Sequence, residues 1–230
     1  MYNKFGYIPI IQGELMRIPK HIGIIPDGNR RWAASNGMSK EKGYETGLEP
    51  GLAVFKLCEQ MGVKEITYYG FTIDNNKRPI TQRQAFTEAC IGAVKMLSNE
   101  NASLLVVGNS ESRMFPSELN SYTTRRTFGK GGIKVNFLVN YGWEWDLGHL
   151  TATSSQSKRA NILKSMKSSD ISRIDLIIRW GGRRRLSGFL PVQSIYADFY
   201  VVDEYWPDFQ PSHFYSALEW YDSQDITLGG

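Results

Sequence analysis

Cysteine is nearly absent from this chain: Cys58 and Cys90 are the two among 230 residues. Two thiols make no disulfide framework, and no Cys/His spacing suits a structural zinc. Both are expected inside helices as small apolar fillers. Long apolar runs are missing as well. None approaches the roughly 20 residues needed to cross a bilayer, and the opening MYNKFGYIPIIQGELMRIPK has no uninterrupted apolar core of the secretory kind. The expectation is a cytoplasmic protein that touches a membrane at most peripherally. No fixed-period repeat or low-complexity linker divides the chain. Nucleotide signatures are lacking too, with no GxxxxGKS/T and no GxGxxG after the first strand. Nor does one sign of charge dominate. A net charge of +4 invites an anionic ligand without demanding nucleic acid.

What is present is an ordinary globular composition, 41% hydrophobic and 22% charged, long enough to bury a substantial core. Short apolar segments alternate with helical patterns. Strands are expected at 22–25, 65–71, 104–108, 133–142, 175–182 and 199–202. Residues 48–61 place Leu48, Leu52, Phe55 and Cys58 on one helical face before Gly62, and 80–97 align Ala85, Ala89, Ala93 and Leu97. A last helix follows Pro211. The polar stretch 151–170 reads as a loop with a weak helix. Strands alternating with helices imply βαβ units, a largely parallel sheet and an α/β fold, here one domain over 1–230 with a peripheral segment at 1–20.

In such sheets ligands bind beyond the carboxyl ends of the strands. Four of those ends carry PDGNRRW, TIDNNKRP, NYGWEWD and RWGGRRRLSG. Any one of them alone reads as a solvated turn; polar, cationic sequence at all four points to a shared site. Arginine forks match phosphate oxygens two at a time. Gly28, Gly181 and Gly182 permit close backbone approach, and a helix starting near Asn29 would aim free N–H groups at an anion. Asp27 is the odd member. A carboxylate beside a phosphate is repulsive unless a cation lies between them, and Mg²⁺ is the natural mediator.

HIGIIPDGNRRWA resembles the first signature of the cis-prenyltransferases, the undecaprenyl diphosphate synthase family. YYGFTIDNNKRP, VNFLVNYGWEWD, DLIIRWGGRRRLSGFL and YADFYVVDEYWPDFQPSHFYSAL extend the resemblance nearly end to end, in the family's order. The resemblance implies a six-stranded, mostly parallel sheet, helices that wall an apolar tunnel, a homodimer, Mg²⁺ dependence and prenyl diphosphate substrates. It implies that Asp27 holds the metal and that Gly28, Asn29, Arg30 and Arg31 wrap the allylic diphosphate. Lys40 stands where an arginine is usual, and Arg78 matches the arginine before proline. Asn75 resembles the asparagine beside the bond-forming carbons. Arg179, Arg185 and Ser187 resemble the clamp on the second diphosphate, and Asp198 stands where a metal-holding glutamate is usual.

The departures cluster. Tyr44 replaces a histidine, Asn76 a tryptophan, and Arg183 the glutamate of the RxGGExR pattern, changing local charge by two units. GFLPVQ replaces NFLLWQ, and Thr227 to Gly230 lack a terminal arginine. Two outcomes stay open: head-to-tail cis elongation with isopentenyl diphosphate, or head-to-middle, lavandulyl-type joining with dimethylallyl diphosphate. Phe86 is a candidate floor for the tunnel, whereas small residues at 89, 90 and 93 argue for length. Two rival classes are a nucleic-acid binder using Arg125, Arg126 and Arg183 to Arg185, and an inactive partner subunit. The first lacks a recognised motif; the second is disfavoured because Asp27, Asn75, Arg78, Arg179, Arg185 and Ser187 are all kept.

Overall fold

The computed structural model describes residues 10–11, 14–148 and 159–225. Much of the 1–20 segment, residues 151–158 of the polar stretch and Thr227 to Gly230 lie outside them. β1 (Ile10–Ile11) and β2 (Glu14–Leu15) form a small antiparallel pair. The main sheet contains β3 (His21–Ile25), β4 (Glu65–Tyr69), β5 (Ala102–Val107), β6 (Arg126–Thr127), β7 (Ile133–Leu138), β8 (Leu176–Arg179) and β9 (Asp198–Val201). Their spatial order is β6-β5-β7-β4-β3-β8-β9. Every pairing is parallel except β5 with β6.

The sheet therefore has seven strands rather than the expected six. The addition is β6, two exposed residues laid antiparallel on β5. A two-residue strand is too short for any alternation to show in sequence. β7 and β8 also stop earlier than their apolar runs, at Leu138 and Arg179. Beyond β7, Asn140 takes φ 52°, a left-handed conformation that ends a strand and that asparagine tolerates.

The helices are α1 (Asn29–Ser35), α2 (Lys40–Thr46), α3 (Leu48–Gln60), α4 (Ile80–Leu97), α5 (Trp143–Leu147), α6 (Arg159–Ser165) and α7 (Pro211–Asp222). β3 is buried at all its positions, so its sequence shows an unbroken apolar run instead of alternation. Ile22 and Ile24 face one layer, where Val54, Phe55 and Cys58 of α3, Cys90 and Val94 of α4, and Phe214 and Leu218 of α7 pack. Ile25, Leu138 and Ile177 face the other, against Ile171, Phe189 and Leu190. Gly23 lies on this second face. A Cβ there would come within 2.6 Å of the Phe189 ring. Both cysteines are buried in helices, as expected.

β3 and β8 run side by side, with Ile25 opposite Arg179. The chain leaves β3 toward β4 and leaves β8 toward β9. Strand order reverses between them, and the segments that follow diverge to open a crevice at that point.

Candidate active site

The segment after β3 turns sharply. Gly28 has φ 103°, and a Cβ on it would come within 2.7 Å of the Tyr205 ring, so only glycine suits the position. The turn places the Asp27 carboxylate over the end of β8. Its Oδ2 accepts from Arg179 Nη2 at 2.7 Å and its Oδ1 from the Gly28 N–H at 2.6 Å; Arg31 Nη2 lies 3.5 Å from Oδ1. Burial pushes this carboxyl's pKa up. The Arg179 hydrogen bond and charge, the Arg31 charge and the Gly28 N–H outweigh it and hold the group below the usual carboxylate range.

Arg179 is the hub of the crevice. It is buried, yet it ends a strand at the rim. Nη1 donates to Ser187 Oγ at 3.0 Å and to the Arg185 carbonyl, while Nε is buried without a hydrogen-bond partner among the described residues. Ser187 has φ 54° beside Gly188 at φ 80°. A left-handed serine is costly and persists where its surroundings hold it. Here the Tyr69 hydroxyl, at the end of β4, donates to the Ser187 carbonyl at 2.6 Å. Burial raises the Tyr69 pKa and keeps that proton in place.

The third side comes from the segment after β4. A turn of 3₁₀ helix over Ile73–Lys77 is capped by Thr72, whose N–H is accepted by Asn75 Oδ1 at 3.2 Å. Arg78 follows in an extended conformation set by Pro79. Its Nη1 donates to the Tyr44 hydroxyl at 2.9 Å, and its guanidinium lies 5.5 Å from the Phe86 ring centre. Arg30 Nη1 reaches Gln82 Oε1 at 3.4 Å. Burial raises the Tyr44 pKa, opposed by Arg78 and Arg30.

These groups line one cavity of about 630 Å³, within the range of roughly 300–1,000 Å³ usual for ligand sites. Asp27, Gly28, Asn29, Arg30, Arg31, Lys40, Tyr44, Asn75, Arg78, Arg179, Arg183, Arg185 and Ser187 all line it, whereas Gly181, Gly182, Asn76 and Asp198, also singled out from the sequence, do not. Asp198 begins β9 opposite Leu176, at the far end of the sheet, while Val201 is the residue opposite Arg179. Three residues of strand, about 10 Å, separate it from the rim. It does not share a site with Asp27 within one chain. Its position at the entry end of a strand follows from its register, which spacing alone does not give.

The cavity opens into a second, apolar one of about 80 Å³ between α3, α4 and the sheet, lined among others by Leu52, Ala89, Cys90, Ala93 and Phe137. Pro26, Asn29, Tyr44, Tyr69, Gly70 and Phe86 border both. Sequence reasoning passed over Tyr69 and Tyr205. Tyr205 backs the Asp27 turn, with the Arg31 guanidinium 5.1 Å from its ring centre, and the Trp206 N–H donates to the Asp27 carbonyl at 3.0 Å. Both tyrosines lie inside the motif segments already noted, but nothing in their spacing distinguishes them from core aromatics. Among the described residues no three His, Cys, Asp or Glu side chains gather as a metal cage. Two acids line the cavity, Asp27 and Asp74; Asp27 is held by Arg179 and the Gly28 N–H, while Asp74 is exposed beside Lys77.

A parallel α/β sheet with a cationic cavity at its switch point and an oily chamber behind it defines a class of protein, one that receives ligands with an anionic head and an apolar tail. Comparison with known proteins narrows the class. Residues 25–229 match the prenyltransferase family model described as "Putative undecaprenyl diphosphate synthase". An isoprenyl transferase of Chromobacterium violaceum is 32% identical over 92% of this chain and 88% of its own length. A ditrans,polycis-undecaprenyl-diphosphate synthase ((2E,6E)-farnesyl-diphosphate specific) of Aliivibrio fischeri is 30% identical over 92% of this chain and 89% of its own. Among solved structures, lavandulyl diphosphate synthase from Lavandula x intermedia, in complex with dimethylallyl diphosphate, superposes with a TM-score of 0.80 at 22% identity, over 92% of this chain and 98% of that one. The chain belongs to the undecaprenyl diphosphate synthase family of cis-prenyltransferases and is a prenyl-transferring enzyme.

Proposed function

We propose that this enzyme condenses an allylic prenyl diphosphate with a second five-carbon diphosphate, with Mg²⁺ and with release of diphosphate. The observation that carries the reading is the charge of the 630 Å³ cavity, where seven cationic side chains face two acids, Asp27 and Asp74. That excess of five suits two diphosphates. Arg30, Arg31, Lys40 and Arg78 surround the allylic one; Arg179, Arg183, Arg185 and Ser187 hold the other. The allylic C–O bond breaks and its electron pair leaves with the diphosphate. The acceptor's double bond attacks the resulting cationic carbon, a C–C bond forms, and the acceptor loses a proton. Preorganised guanidinium groups facing the leaving diphosphate lower the barrier because they already point at the growing charge. Asp27 fits a divalent ion that arrives on a diphosphate, since Mg²⁺ usually takes one or two carboxylates plus phosphate oxygens. When bound, the ion neutralises developing phosphate charge.

Head-to-middle joining with dimethylallyl diphosphate is a second reading of the same site. Arg183, in place of an acid, faces the acceptor diphosphate, and the lavender enzyme of similar fold is named for a lavandulyl product. The proposal extends to a cytoplasmic homodimer with peripheral membrane contact. No described helix is long and apolar enough to cross a membrane. The test is purified protein offered isopentenyl or dimethylallyl diphosphate with a longer allylic partner, products resolved by mass, with and without Mg²⁺. Chelation is expected to abolish turnover, and Asp27→Ala to lower kcat by at least about a hundredfold at saturating metal. Unchanged turnover in either case defeats the metal assignment, and absence of any prenylated product defeats the reading.

A further inference from the structure

Two cavities meet at the cis-prenyltransferase site, and two rings stand at their junction. Tyr44 of α2 and Phe86 of α4 stack with centroids 4.6 Å apart and planes 7° from parallel. Both border the cationic cavity and the apolar one. Two neighbours hold the pair through three contacts. Arg78 donates to the Tyr44 hydroxyl at 2.9 Å and lays its guanidinium 5.5 Å from the Phe86 ring centre. Phe71 meets Phe86 edge-on, centroids 5.6 Å apart. A stack held this way is a wall and not a mobile side chain.

The chamber beyond is small. Ala89, Cys90 and Ala93 leave its wall open, yet its volume is about 80 Å³, far below the roughly 300 Å³ at which ligand pockets begin. The small residues that argue from sequence for a long chain thus line a small space, with the ring pair on its border with the cationic cavity.

We propose that the Tyr44–Phe86 stack is the length stop of this enzyme and restricts it to short allylic donors of one or two isoprene units. The proposal rests on the prenyl-transfer reading, but it concerns where the tail ends, not what the heads do. A diphosphate head anchored near Asp27 directs its tail at the rings. The first units lie in the cavity on the near side, and a third meets the stack. Arg78 joins both tasks, because the guanidinium that faces the donor's diphosphate also pins the ring that limits its tail.

Binding and products are measured separately. Dimethylallyl, geranyl and farnesyl thiolodiphosphates, which resist ionisation, are titrated calorimetrically into wild-type protein and into Phe86→Ala and Phe86→Leu. The wild type is expected to bind the geranyl analogue at least about tenfold more tightly than the farnesyl one, the scale on which a closed apolar pocket discriminates size. Either variant is expected to shrink that ratio to about threefold or less. In product assays the longest chain made by the variants is expected to grow by at least one five-carbon unit. Should Phe86→Ala fail to fold, as judged by its melting curve, Phe86→Leu still removes the stack. Equal wild-type affinity for the geranyl and farnesyl analogues overturns the proposal, as does a length ratio unmoved in a folded variant. Length-ranked binding with no condensation of any pair supports the stop and sinks the transferase reading instead.

Discussion

At the scale of single residues, Asp27 and Tyr69 are charged with opposite duties: one must let go of its partner and the other must not. Without ligand, Asp27 is bound to Arg179, which would have to yield to the divalent ion proposed for this carboxylate. The pair leaves a signature in stability. Because the folded carboxyl lies below its ordinary 3.8, its contribution is present above that value and is lost as pH falls through the lower folded pKa. The gap in urea midpoint between wild type and Asp27→Asn is therefore expected to be widest above about pH 5 and to narrow toward about pH 2; a gap independent of pH would show the two carboxyl environments to be alike. Tyr69 acts through the segment it holds. Tyr69→Phe frees the Ser187 carbonyl and loosens the left-handed turn that presents Ser187 Oγ to Arg179. Loss of one such bond, about 0.5–1.5 kcal/mol, is expected to raise KM for the five-carbon acceptor roughly three- to tenfold with KM for the allylic donor unmoved. A rise in both, or in neither, would give Tyr69 a general packing role.

Elements were legible where periodicity had room to act. The helix over Ile80–Leu97 spans five turns, and its bounds agree with the pattern of Ala85, Ala89, Ala93 and Leu97. The parallel core strands showed as apolar runs because both faces are covered. β6 was hidden because its two residues pair by register with Ser103 and Leu104 and bury nothing of their own. Asp198 could not be placed by spacing: its motif is near the others in the chain, but strand direction sets it at the entry end of β9, away from the cavity within one chain. Site residues were legible because they follow strand ends, and parallel strands bring such ends together whatever the loops do between. Tyr69 was not, since a tyrosine closing a strand looks the same packed or functional. Close packing between elements was equally silent, and Gly23 shows it. A methyl there would press on the Phe189 ring from 2.6 Å, forcing β3 and the 186–190 turn apart. Gly23→Ala is expected to lower stability by about 1–3 kcal/mol in urea unfolding. Because Asp27 follows directly after β3, some loss of turnover should accompany it. An unchanged midpoint would mean that Phe189 moves aside freely.

The whole molecule has a charge of +4, and the cavity alone contributes seven cations less two acids, or +5. The remaining surface is therefore close to neutral, at about −1 by difference. A basic protein by overall count thus carries its net positive charge in a concentrated recess, and the rest of the chain sums to nearly neutral. That distribution separates the enzyme from a nucleic-acid binder, which spreads cations over a face or along a helix to follow a backbone. Here a concave space of 630 Å³ gathers them, and it admits a diphosphate while excluding a duplex. It also has a kinetic consequence. Field lines focused in a recess speed capture of small anions, and exposed charge is screened beyond about 10 Å at 0.1 M salt. Inside the recess, bound diphosphate is in contact with its partners and screened much less. Raising NaCl from about 0.05 to 0.5 M is thus expected to lower kcat/KM for the allylic diphosphate severalfold while leaving kcat nearly constant. Inorganic diphosphate, as a competitive inhibitor, should weaken in parallel, whereas an uncharged prenol should bind with unchanged or greater affinity as salt rises. If kcat fell and kcat/KM held, the cations would be acting on the chemical step alone and the concentration of charge in the recess would have no part in capture.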